Sequence, residues 1–293
     1  MSGHIEGMIE ALTGVAQALD PLVTRIIAPN PSPYTYTGTE TYLVGTTDLA
    51  VIDPGPDESA HLDALMTAIA GRPVVAILCT HTHRDHSPAA APLKVLTGAP
   101  IIGCAPLVLT DNGPRADAAF DRDYMPDRVL TDGETLSGQG WTIEAVATPG
   151  HTSNHLCYAV RENGALFTGD HVMGWSTTVI APPDGDMAMF MASLAKLMAR
   201  DQDKIYYPAH GDPVERPHRF VRGLIGHRKQ REGQILRLLK EEVTEIPDMV
   251  ARMYVGLDPR LTGAAARSVQ AHLIDLKARG LVDGEGDTWK MAA

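Results

Sequence analysis

The segment His81-Thr82-His83-Arg84-Asp85-His86 places three imidazoles and one carboxylate within six residues. Neutral imidazole and carboxylate are borderline-to-hard donors that hold Zn²⁺, Fe²⁺ or Mn²⁺ without help from cysteine. The apolar run Val74 to Leu78 before it reads as a buried strand, and Ser87-Pro88 after it fit the N-cap and first position of a helix. The cluster therefore falls on a strand-to-helix loop, where successive side chains can converge on more than one point. Alternation puts His81 and His83 on one side and turns Asp85 and His86 toward another, which suits two adjacent cations in one cavity. Further donors follow at the ends of expected strands: His151 in Thr148-Pro149-Gly150-His151, Asp170 in Thr168-Gly169-Asp170, and His210 in Pro208-Ala209-His210-Gly211. Glycine or proline beside each marks a tight turn. One histidine of the 12 in the chain is more often a capping or packing group; seven donors in one repeated context point to a metal site.

Two divalent ions a few ångströms apart lower the pKa of a shared water toward neutrality, so that a hydroxide nucleophile exists at pH 7, and they polarise the attacked carbonyl or phosphoryl group. The expected reaction is hydrolysis, with Asp85 as the catalytic residue that orients the hydroxide. A helix starting at Ser87 would aim its positive end at the cluster. Arg84 is a candidate contact for an anionic substrate, and Trp175, Ser176 and Thr177, with Thr178, are candidates to line the substrate cleft. His155 and His171 read as hydrogen-bonded support for neighbouring ligands. His4, His61, His218, His227 and His272 read as surface or packing residues.

The elements that must position these groups form an α/β pattern. Leu22 to Ala28, Thr41 to Val44 and Leu49 to Ile52 suggest an antiparallel meander, and Ser59 can cap a helix running to Ala70 that Gly71 stops. Strands are expected at Ile101 to Cys104, Trp141 to Ala147, His155 to Val160, Ala165 to Phe167 and Lys204 to Tyr207, with a helix carrying Met187 to Met198 before the last. Mixed in this way, they predict a sandwich of antiparallel-rich sheets with outer helices. From Pro217 the pattern turns helical: an irregular helix to Lys240 containing Gly223, Gly226 and Gly233, a short helix from Pro247 to Tyr254, and a third from Thr262 to Arg279. A hairpin turning at Asp283 to Gly286 follows. Three helices and a hairpin are the order of a winged helix-turn-helix. The reading is a hydrolase domain over residues 1–215 and a winged-helix-like domain with its connecting helix over 216–293.

At 293 residues, 44% hydrophobic and 21% charged, the chain has the composition of a folded globular protein. Its net charge of −11 argues against coating duplex nucleic acid or an anionic membrane. Residues 1–214 carry 11 Lys and Arg against 25 Asp and Glu, whereas residues 215–293 carry 14 against 11. Cys79, Cys104 and Cys157 are too few and too scattered for a disulfide framework and suit a reducing compartment. Met1 to Asp20 lacks the features of a secretory signal, so a cytoplasmic protein is expected.

With its motifs in this order, the sequence resembles the metallo-β-lactamase fold superfamily, whose pattern is His-x-His-x-Asp-His, then a His, a bridging Asp and a final His. Val51-Ile52-Asp53-Pro54-Gly55 matches that superfamily's strand-Asp-x-Gly turn, whose Asp supports and does not ligate. The resemblance implies an αββα sandwich in which His81, His83 and His151 hold one metal, Asp85, His86 and His210 the other, and Asp170 bridges two zinc ions, with iron or manganese as alternatives. It extends to the glyoxalase-II-like branch that includes a beta-lactamase-like single-strand endoribonuclease, through His-Arg-Asp-His-Ser and the C-terminal winged helix. Pro88-Ala89-Ala90 and Glu40 depart from that branch, where a glycine pair and an Asn are common.

Several functions fit this reading. Hydrolysis of an ester, thioester or lactone in a small molecule stands first, with cleavage of single-stranded RNA as the alternative. A nucleic-acid-binding regulator reading DNA through the winged helix, and an iron-dependent dioxygenase on the same fold, are two more. No membrane partner is expected; the C-terminal domain could wall the cleft or form a homodimer contact.

Overall fold

The computed structural model describes residues 12–108 and 120–292. Its N-terminal part is built on two sheets. The first runs in sequence order through β1 (Gln17–Asp20), β2 (Val23–Ile27), β3 (Glu40–Val44), β4 (Leu49–Ile52), β5 (Val74–Cys79), β6 (Ile101–Gly103) and β7 (Arg128–Val129). β1 to β4 form the antiparallel meander, and β4 to β7 pair in parallel. Two of those parallel steps use crossover helices: α1 (Ser59–Ile69) joins β4 to β5, and α2 (Ala90–Thr97) joins β5 to β6. The second sheet has the order β12-β11-β10-β9-β8, from β8 (Thr135–Gly138), β9 (Trp141–Ala147), β10 (Leu156–Val160), β11 (Ala165–Gly169) and β12 (Ile205–Pro208). It is antiparallel except where α3 (Met187–Met198) carries the chain from β11 to a parallel β12.

The sheets face each other across one apolar core, in which Tyr42, Ile52 and Leu78, on one face of the first, lie with Ile143, Tyr158 and Phe167 of the second. The Tyr42 and Phe167 rings lie 4.9 Å apart. Leu65 and Ile69 of α1 pack into this core, while Val146, Cys157 and Leu166, on the other face of the second sheet, lie under Phe190, Leu194 and Leu197 of α3. The result is the expected αββα layering.

Several local expectations are corrected. Ser59 is the first helical residue, behind Glu58, which makes no side-chain cap, and Ala70 already adopts the left-handed conformation before Gly71. The helix expected from Ser87 begins at Ala90. Ser87 and its neighbours are held elsewhere: the Ser87 hydroxyl donates to Asp121 at 2.7 Å, and the His86 carbonyl and Ala89 N–H both bond Gly55. The short strands β1, β7 and β8 carry mixed residues without apolar alternation and were not anticipated.

The C-terminal part opens with α4 (Pro217–Lys240), a single unbroken helix whose three glycines have nothing within 4 Å of where a Cβ would stand. α5 (Ile246–Met253), α6 (Thr262–Ala278) and the hairpin β13 (Val282–Glu285) and β14 (Thr288–Met291) follow. Asp283 and Gly284 pair with Lys290 and Trp289, so the turn falls at Gly286-Asp287, two residues beyond the expected centre. Ile235, Leu239, Met249, Val269, Leu273 and Trp289 give this part its own core. α4 joins it to the sandwich, because Val221 near its start packs with the α3 layer, and α3 also touches α6. No helix among the described residues is long and apolar enough to cross a membrane.

His272 on α6 is 3% exposed, and neither ring nitrogen has a partner among the described residues. Burial, reinforced by Arg228 and His227, pushes its pKa down to about 3. The unfolded chain therefore binds a proton at His272 that the folded chain refuses, and stability present above about pH 6.5 is lost as pH falls toward 3. His272→Leu should reduce that acid slope by up to about 1.4 kcal/mol per pH unit while leaving stability at pH 8 equal or higher. Denaturant melts from pH 8 to 4 test this; an unchanged slope would refute it.

Candidate metal centre

All seven predicted donors converge at the strand ends shared by the two sheets. They fall into two groups, His81, His83, His151 and Asp170 in one and Asp85, His86 and His210 in the other, with the donor atoms of each group within 4.8 Å of one another. Asp170 joins them. Its Oδ2 lies 3.5 Å from His151 Nε2, and its Oδ1 lies 3.3 Å from His210 Nε2 and 3.6 Å from His86 Nε2. Asp85 Oδ2 completes the second group at 3.1 Å from His210 Nε2 and 3.3 Å from His86 Nε2.

The backbone delivers these groups through tight turns. Gly169, immediately before Asp170, has φ +48°, and a Cβ there would stand 2.6 Å from Thr80 Oγ1 and 2.8 Å from His155 Nε2. Gly150, immediately before His151, has φ +139°, and a Cβ would meet the Phe190 backbone at 2.3 Å. Only glycine lets the chain pass so closely at either point.

Hydrogen bonds on the outer nitrogens fix the imidazole tautomers. Asp53 Oδ1 accepts from the Thr80 N–H at 2.7 Å, and its Oδ2 accepts from the Thr80 hydroxyl at 2.8 Å and from His86 Nδ1 at 3.0 Å. The Thr80 oxygen, its proton committed to Asp53, accepts from His81 Nδ1 at 3.0 Å. His151 Nδ1 donates to the Val179 carbonyl at 2.8 Å and His210 Nδ1 to the Gly38 carbonyl at 3.2 Å. Each of these four rings carries a proton on its outward nitrogen and turns Nε2 inward. In the first group His83 Nδ1 stands 2.8 Å from His81 Nε2 and 3.1 Å from His151 Nε2. Three nitrogens so close can share few protons, and a cation between them relieves their mutual repulsion.

Electrostatics divides the two groups. Burial, followed by the surrounding imidazoles, holds His81 far below its ordinary pKa, and burial with His151 pushes His83 down to about 3. These rings are neutral at pH 7, the form in which an imidazole can ligate a cation. In the second group burial opposes charge on His86 and His210, yet the carboxylates Asp85 and Asp170, with Asp53 beside His86, outweigh it and raise both. Burial likewise opposes charge on Asp85 and Asp170, and the histidines overcome it and lower both. That pocket attracts positive charge. The donor set, its inward-turned nitrogens and the buried Asp170 Oδ1 and His86 Nε2, which form no hydrogen bond among the described residues, fit a pair of divalent cations.

The remaining candidates separate. His155 supports the centre, accepting from the Asp170 N–H at 3.3 Å and bonding Thr148 at 2.9 Å. His171 does not, since both its nitrogens lack hydrogen-bond partners among the described residues and its ring packs on Phe190. Arg84 is exposed and donates to the Phe120 carbonyl at 3.3 Å. Trp175 stacks on Tyr36 at 4.9 Å, and with Ser176 and Thr177 it lines a cavity bounded by the C-terminal helices that includes none of the seven donors. His61, His227 and His272 are buried or half-buried, His218 bonds the Arg200 carbonyl, and His4 lies outside the described residues. Sequence reasoning missed a chain of supports: Arg228 of α4 donates to the Thr178 carbonyl, the Thr178 hydroxyl donates to the Asp170 carbonyl at 2.6 Å, and Val179 receives His151. Backbone carbonyls leave no mark in residue identity, and nothing in its spacing distinguishes Arg228 from the other basic residues of α4.

Comparison with known proteins agrees with this geometry. The family model described as "Metallo-beta-lactamase superfamily" matches residues 35–210, which contain every donor, and "Beta-lactamase associated winged helix domain" matches residues 246–289. The chain is 31% identical to the "Beta-lactamase-like protein 2 homolog" of Caenorhabditis elegans, over 91% of this chain and 88% of that protein. It is 32% identical to the "Atrochrysone carboxyl ACP thioesterase" of Aspergillus fumigatus, over 76% and 66%. A metallo-beta-lactamase family protein of Thermus thermophilus superposes with a TM-score of 0.75 at 21% identity, covering 94% of this chain and all of that one. The chain is a hydrolase of the metallo-beta-lactamase superfamily, with a beta-lactamase-associated winged helix domain following its catalytic fold.

Proposed function

We propose that the seven donors hold two divalent cations, zinc first and iron or manganese as the alternatives, and that the chain hydrolyses an ester, thioester or lactone of a small molecule. The observation that carries this reading is the placement of Asp170, one oxygen toward each donor group. Bound there, the cations would polarise a substrate carbonyl and make a shared water acidic enough to supply a nucleophile at neutral pH. The chain's own residues do the rest. Asp53, Val179 and Gly38 hold the outward protons of His86, His151 and His210 and so aim the Nε2 of each ring inward. Asp85, at 26% the most exposed side chain of the second group, is placed to orient the attacking water, while Thr39 steadies its Oδ2 at 3.2 Å.

Carbonyl chemistry on a small substrate is favoured by the acidic balance of residues 1–214, which repels a long polyanion. The name of the Aspergillus fumigatus relative points to thioesters. Single-stranded RNA is the second reading, resting on the basic balance of the C-terminal part. Against it, and against a DNA-reading regulator, Lys277 is paired with Asp283, and Arg279 with Glu232 and Asp275. The free, buried cysteines suit a reducing compartment, in keeping with a cytoplasmic enzyme.

Asp85→Ala should lower turnover by about 10²-fold or more and reduce bound metal from two ions per chain toward one, with thermal unfolding preserved. Elemental analysis beside a panel of thioesters, lactones, β-lactams and a single-stranded RNA oligonucleotide checks this. Wild-type turnover in the variant would defeat the two-cation reading, and cleavage of RNA alone would select the second substrate class. Asp53→Ala, which touches no expected substrate position, should weaken metal affinity about 10- to 100-fold in a chelator competition; an unchanged affinity would remove its proposed role.

A further inference from the structure

Arg228 enters the interior between the sandwich and the C-terminal part and is only 4% exposed. It donates to the Thr178 carbonyl, and its guanidinium carbon lies 5.1 Å from the centre of the Phe190 ring. Among the described residues no carboxylate pairs with it. The titratable groups around it are His171 behind Phe190, His227 and Arg231 on its own helix, Tyr254 beyond α5 and His272 on α6. None of them is a carboxylate. Burial lowers the guanidinium only to about 10, so the side chain remains a cation. A buried charge without a counter-ion is costly, and folded proteins normally pair it.

The same side chain lines a cavity of about 160 Å³ between the two parts of the molecule. Met173, Trp175, Tyr254 and Leu257 give it apolar and aromatic walls, Ser268 adds a hydroxyl, and no Asp or Glu lines it. A void of this size is close to the roughly 150 Å³ that accepts a benzene ring in a protein interior. Size, walls and charge thus specify a flat apolar body bearing one negative group. Thr178 and Val179 form the wall between this cavity and the metal centre.

We propose that this interdomain cavity is a binding site for a small aromatic carboxylate, whose carboxylate pairs with Arg228 and whose ring lies among Met173, Trp175 and Tyr254. The site contains none of the seven donors and does not depend on which substrate the metal centre hydrolyses.

Calorimetric titration of the full-length protein with benzoate, and with benzyl alcohol as the uncharged counterpart, tests the assignment. Benzoate should bind with a Kd of about 1 mM or tighter, and benzyl alcohol at least about 10-fold more weakly, the usual scale for a charged hydrogen bond. Arg228→Met should weaken benzoate by at least about 10-fold. Ala264→Phe, which fills the cavity from α6 and leaves Arg228 in place, should abolish binding with metal content unchanged. This second variant also decides the matter if Arg228→Met fails to fold. Absence of benzoate binding, equal affinity for benzyl alcohol, or benzoate affinity retained in a folded Ala264→Phe protein would each overturn the proposal.

Discussion

The fold is organised around a charge problem at Asp170. One buried carboxylate presents its two oxygens to two sets of imidazoles, one toward His151 and the other toward His86 and His210. In the first group burial and neighbouring imidazoles keep His81 and His83 from taking up protons; in the second the carboxylates draw positive charge toward His86 and His210. Such an arrangement persists only where the surrounding backbone holds every donor in place.

That backbone is supplied by both sheets. β5 ends where the His81 to His86 loop begins, β11 ends at Gly169 before Asp170, and β12 ends at Pro208 before His210. Asp53, just past β4, ties the loop to the meander through Thr80 and His86. The C-terminal part takes a share through Arg228 and Thr178, which fasten the carbonyl side of Asp170. The small domain is therefore a structural neighbour of the metal centre, one peptide layer away.

Much of this was legible in the residues themselves. His81, His83, Asp85 and His86 lie in one short loop, so their convergence needs no long-range information, and the glycines before His151 and Asp170 announce turns that the structure uses for close approach. The grouping of the seven into two sets came from family resemblance, and the distances reproduce it. Features that depend on tertiary context were harder to read. Ser87 looks like a helix cap, but competition from Asp121 and the Gly55 backbone delays α2 by two residues. His171 looks like a ligand's partner, and its nitrogens instead form no hydrogen bond among the described residues while its ring packs on Phe190. Trp175, Ser176 and Thr177 do line a cavity, though one on the far side of the Thr178-Val179 strip from the donors.

The most direct test of a two-cation centre is anomalous X-ray scattering from crystals of the metal-loaded full chain. Two peaks about 3.5–4 Å apart are predicted, one among His81, His83 and His151, the other among Asp85, His86 and His210, with Asp170 between them. A single peak at saturating metal, or ions bound away from these side chains, would contradict the account.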